Sequence, residues 1–131
     1  MNELLNFDLS ENTIKAMIEQ NDEIQSITDE EVIDKENLLR SVNCSEKQVI
    51  NIISSNANFL SADNNDIIEL FNTLTSYGFT TLNILFDANP YILNLQSYEI
   101  KNYINNRLKN NESLNIIVDD LDSNPILFNE I

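Results

Sequence analysis

The chain has 131 residues with one glycine, two prolines, one cysteine and no histidine, which leaves too little turn chemistry for a β-rich fold. Without histidine, and with a single thiol, the chain lacks residues that nucleophilic triads and zinc sites with several Cys or His require, and one glycine rules out a glycine-rich phosphate loop. Acidic residues number 22 and basic residues 7, for a net charge of −15, and that is a poor footprint for phosphate contacts.

In chain order, residues 1–8 carry Leu4, Leu5 and Phe7 ahead of Ser10 and predict a short cap on the first repeat. Ser10 opens a helix with Ile14, Met17 and Ile18 on one face. Thr28-Asp29-Glu30-Glu31 has the spacing of a capping box, with its acids where a helix dipole favours them. That helix is expected to run through Val32, Ile33, Leu38, Leu39 and Val42. Ser45-Glu46-Lys47-Gln48 is a second capping box, opening a helix with Val49, Ile50, Ile52 and Ile53.

After a turn over Asn56 to Ser61, Asp63 caps the most apolar helix, with Ile67, Ile68, Leu70, Phe71, Leu74 and Tyr77, and Gly78 ends it. Thr80 or Thr81 starts the next, with Leu82, Leu85 and Phe86 inward. Residues 97–110 set Ile100, Tyr103, Ile104 and Leu108 on one side and Lys101, Arg107 and Lys109 mostly on the other. Leu114, Ile116, Ile117, Val118 and Leu121 form a last helix, and Pro125 to Phe128 closes the pattern.

These elements repeat. Asn89-Pro90-Tyr91-Ile92-Leu93 returns as Asn124-Pro125-Ile126-Leu127-Phe128, with looser copies at Asn21 and Asn56, so the four asparagines stand 35, 33 and 35 residues apart. That period belongs to stacked helical hairpins. Alignment on the asparagines brings Ile14, Val49, Leu82 and Ile117 into one apolar column, and Ile24, Phe59, Ile92 and Leu127 into another. Met17, Ile52 and Leu85 form a third that fails at Asp120, and Val32, Ile67 and Ile100 a fourth. Each copy reads as a helix ending near its asparagine, a tight connection and a second helix, neither able to bury its stripe alone.

The fold expected is all-α, a right-handed or superhelical α-solenoid of about three and a half helical-hairpin repeats in one domain, over residues 9–43, 44–78, 79–110 and 111–131. The asparagines are expected to close the first helices in a left-handed backbone, with Pro90 and Pro125 as stops.

Asn89-Pro90-Tyr91-Ile92-Leu93, followed by Ser97-Tyr98-Glu99-Ile100 and a second helix, resembles the repeat of the mitochondrial transcription termination factor (mTERF) family. In that family an Asn-Pro-x-Ile/Leu-Leu element links two helices of a superhelical solenoid. Val49 to Leu60, with Ser45-Glu46 in front and Gly78 behind, is similar to the same unit without its proline. The resemblance covers most of residues 9–131 and implies nucleic-acid binding. The start Met1-Asn2-Glu3-Leu4-Leu5-Asn6 has neither a secretory pattern nor the basic character of a mitochondrial address, which points to a small acidic bacterial-type relative in the cytoplasm.

Charge is distributed unevenly: −9 over residues 1–36, −1 over 37–111 and −5 over 112–131. The reading this favours is a non-enzymatic scaffold that engages a basic protein partner, with Asp22, Glu23, Asp29, Glu30, Glu31 and Asp34 as the acidic binding positions. An alternative is a nucleic-acid mimic that inhibits, or confers immunity to, a DNA- or RNA-binding protein. Direct nucleic-acid binding comes after both, because only Lys101, Arg107 and Lys109 cluster as an anion site.

No cofactor, metal or membrane is expected, and the open ends of a stack leave room for self-association. Asp120, Asp122 and Asn124 have the opening spacing of a calcium loop, but Pro125 stands where its glycine belongs. Cys44, without a histidine to activate it, reads as a passive thiol.

Overall fold

The computed structural model describes Leu4 and residues 6–131. Among the described residues, helices account for all the regular structure: α1 (Glu11–Gln20), α2 (Asp29–Ser41), α3 (Glu46–Ser55), α4 (Asn64–Tyr77), α5 (Leu82–Ala88), α6 (Ser97–Lys109) and α7 (Leu114–Ser123). Four short 3-10 turns, Asp22–Ser26, Ala57–Ser61, Pro90–Asn94 and Pro125–Glu130, each come directly after one of the four asparagines. Helices α1, α3 and α5 pack side by side, α2, α4 and α6 do the same, and the 3-10 turns form a third row. The result is the helical solenoid that the period requires.

Burial obeys the columns except at Ile14, which is only partly covered at the start of the stack. Val49, Leu82 and Ile117 are buried, as are Ile24, Phe59 and Ile92, Met17, Ile52 and Leu85, and Val32, Ile67 and Ile100. In the last copy the register slips, so that Phe128 is buried while Leu127 is only partly covered. Leu4 and Phe7 are buried at the start of the stack, as a cap requires, whereas Met1 to Glu3 and Leu5 lie outside the described residues.

The helix starts match their sequence signals with one correction. Ser45 and Gln48 form the full reciprocal capping box, and the Asp63 carboxylate accepts the Asp66 amide. Thr28 makes only half of its box. Its hydroxyl accepts the Glu31 amide and donates to Glu31 Oε1, so the glutamate never reaches back to the Thr28 amide.

The expected left-handed asparagines are also corrected. Asn21, Asn56, Asn89 and Asn124 all have φ between −146° and −133°. The left-handed position falls 22 residues later in each repeat, at Asn43, Gly78 and Asn111, with φ of 72°, 106° and 67°. There Cys44, Phe79 and Glu112 donate to the carbonyls of Leu39, Leu74 and Arg107, closing α2, α4 and α6 with one shared bond pattern. The prolines open the 3-10 turns as their first residues, where a missing amide costs nothing.

The repeated asparagines instead tie one repeat to the next. Asn21 Nδ2 donates to the Ala57 carbonyl at 3.2 Å and to Ser61 Oγ at 2.8 Å. Asn56 Nδ2 donates to the Pro90 carbonyl and Asn94 Oδ1, both at 3.0 Å. Asn89 Nδ2 donates to the Pro125 carbonyl at 2.9 Å and Asn129 Oδ1 at 3.0 Å. In each case the acceptors are the first and fifth residues of the following turn. Because these amides are buried, each bond fixes register as well as adding energy.

Candidate binding surfaces

Among the described residues no three His, Cys, Asp or Glu side chains could hold a metal ion, and Asp120 of the abortive calcium pattern accepts a bond from Arg107. Cys44 is buried, and burial pushes its thiol up to about 11, with Asp87 adding to the rise and Arg40 opposing it. The adjacent helix start does not lower it. Thiolate is therefore scarcer by roughly two orders of magnitude than in a free thiol at neutral pH. A disulfide reagent is expected to label the native chain roughly 100-fold more slowly than the urea-unfolded chain. Equal rates would contradict the buried placement.

The basic cluster comes apart in three dimensions. Arg107 donates through Nε and Nη2 to Glu112 and through Nη2 to Asp120 at 2.9 Å, and its guanidinium lies over the Tyr103 ring. It is a tie between α6 and α7. Those bonds hold the Glu112 carboxyl below its usual range, so the tie is present at neutral pH and lost as pH falls through that lowered value. Lys101 and Lys109 remain exposed and without an ion-pair partner among the described residues.

The six acidic positions lie on two consecutive elements. Asp22 and Glu23 begin the first 3-10 turn, and Asp29, Glu30 and Glu31 fill the first turn of α2, all exposed, while Asp34 is half-buried. Next to Asp34, Lys35 is only 3% exposed and its ammonium donates to Asn64 Oδ1 at 2.6 Å. Burial lowers its proton affinity, and Asp34, Glu31 and Asp63 act against that shift.

A larger surface feature was not singled out from the sequence. Between α3 and α5 runs an open groove of about 680 Å³ lined by Asn43, Ser45, Lys47, Gln48, Asn51, Asn83 and Asp87. Asn51 Nδ2 donates to the Asp87 carbonyl at 3.1 Å and to Asp87 Oδ1 at 2.8 Å, and Asn83 Nδ2 donates to Gln48 Oε1 at 3.4 Å. These pairs are one repeat apart in sequence, and that spacing was the available signal. The groove falls in the nearly neutral middle of the chain, and its amides offer both donors and acceptors.

The fold defines a helical-repeat protein. The chain matches the mTERF family model over residues 1–121, and it belongs to that family. The family is a non-catalytic one, in agreement with the expectation that this chain is not an enzyme. No curated protein and no solved structure matches the chain significantly. Among the described residues no helix is long and apolar enough to cross a membrane.

Proposed function

We propose that this chain is a non-enzymatic binding module whose ligand is nucleic acid, received in the groove between α3 and α5. The observation that carries the reading is family membership, since mTERF proteins typically bind nucleic acid. The groove supports it with four amide side chains, and with Lys47 against a single carboxylate, Asp87, in the nearly neutral middle of the chain. Amides suit base edges, which present paired donors and acceptors. With a single lysine there, phosphate neutralisation contributes little. Fluorescence anisotropy with labelled single- and double-stranded oligonucleotides at low ionic strength is expected to show weak binding. Its logarithmic salt slope is on the order of −1, as for about one phosphate contact. Lys47→Glu removes the binding. No binding at low salt, or a Lys47→Glu protein that binds as the wild type does, overturns the reading.

A second reading has its own observation. Asp22, Glu23, Glu30 and Glu31 are exposed on neighbouring elements and favour a basic protein, including one whose nucleic-acid groove they would occupy as a mimic. Such binding weakens steeply with salt. The proposal extends to an acidic, cytosolic, bacterial-type member of the family, on the −15 charge and the single buried thiol.

A further inference from the structure

Ile33 and Ile68 stand in one column of the repeat, each twelve residues after its asparagine, on α2 and α4, which pack together. They are 39% and 43% exposed. The core does not need them, because the adjacent column of Val32 and Ile67 is already buried. Between the two helices lies a groove of about 300 Å³ lined by Asp34, Asn37, Leu38, Asn64 and Ile68. In the third repeat the same column holds Lys101, so the apolar stripe spans two helices and stops.

The surroundings of this stripe are acidic. Asp34 is part of the lining, and Glu31, one turn earlier on α2, and Asp63, beside the lining residue Asn64, favour the charge of Lys35 together with it. Lys35 itself is buried with its amine on Asn64, so the nearby cation is not presented to a ligand. Adjacent packed helices lie roughly 8 to 10 Å apart. Leu38 and Ile68 supply the apolar part of the lining, one from each helix, and a ligand helix with apolar residues at i, i+3, i+4 and i+7 presents a single stripe to them.

We propose that this groove docks an amphipathic basic helix of a protein partner, its apolar side chains packing on Leu38 and Ile68 and its lysines or arginines facing Asp34. The inference rests on the protein-partner reading and leaves the α3–α5 groove free.

The probe is a synthetic leucine–lysine peptide with leucines at i, i+3, i+4 and i+7, titrated into the full chain by NMR alongside a scrambled peptide of the same composition. Methyl shifts at Ile33, Leu38 and Ile68 are expected. Ile68→Ser is expected to weaken the amphipathic peptide about tenfold, while Ile116→Ser, at an exposed position on α7, leaves it unchanged. Equal binding of the scrambled peptide, or an Ile68→Ser protein of unaltered affinity, overturns the groove. Shifts at the Glu23 and Glu30 amides without shifts at the isoleucine methyls overturn the groove and keep the acidic-face reading. No shift anywhere overturns both.

Discussion

Asn56→Ala is expected to lower the unfolding free energy by about 2 to 3 kcal/mol, the loss of two hydrogen bonds from a fully buried amide, which leaves their acceptors without that donor. Asn56 is 0% exposed and its Nδ2 is shared between the Pro90 carbonyl and Asn94 Oδ1. Two further substitutions separate register from packing. Asn124 occupies the same column but is exposed, so Asn124→Ala is expected to stay within about 0.5 kcal/mol of wild type. Asn56→Asp sets a carboxylate against two oxygens and should exceed the alanine cost at neutral pH. Because burial and those oxygens raise the folded pKa of the new acid, its penalty shrinks as pH falls through that value. Urea titrations of the three variants provide the check, and equal losses for Asn56→Ala and Asn124→Ala would remove the special role of the buried amides.

Phe86→Ala is expected to cost about 3 to 5 kcal/mol, from lost transfer energy and the cavity left behind. Phe86 is fully buried on α5, with its ring stacked on Phe71 at 5.3 Å between centroids. It bridges α5 to α4, so the loss falls at the centre of the stack. Ile84 lies on the same helix and is 58% exposed, and Ile84→Ala is expected to change stability by less than about 1 kcal/mol. The urea midpoint reads both. A Phe86→Ala protein as stable as the Ile84→Ala protein would mean that α5 packs through its other face.

The repeat was legible because its apolar columns obey the helical period, and a solenoid has few other ways to bury them. Family resemblance was legible in Asn89-Pro90-Tyr91-Ile92-Leu93 for the same reason: the motif spans a turn that recurs. What the asparagines do was not legible. An amide beside a helix end serves equally as a left-handed cap or as a donor to another repeat, and only the spatial position of the Ala57, Pro90 and Pro125 carbonyls decides.

Surface chemistry was harder still. Lys101, Arg107 and Lys109 are neighbours in sequence, yet Arg107 turns toward Glu112 and Asp120, partners that a reading of one helix face does not include. The amide-lined groove joins residues 35 and 36 positions apart and emerges only when α3 and α5 are laid side by side.

Side-chain amide hydrogen exchange tests the ladder most directly. In a uniformly ¹⁵N-labelled chain, the NH₂ groups of Asn21, Asn56 and Asn89 are expected to exchange far more slowly than that of Asn124, because three are buried and bonded to the next repeat and the fourth faces water. Fast exchange at all four would contradict the account, since the repeats would then be held in register by apolar packing alone.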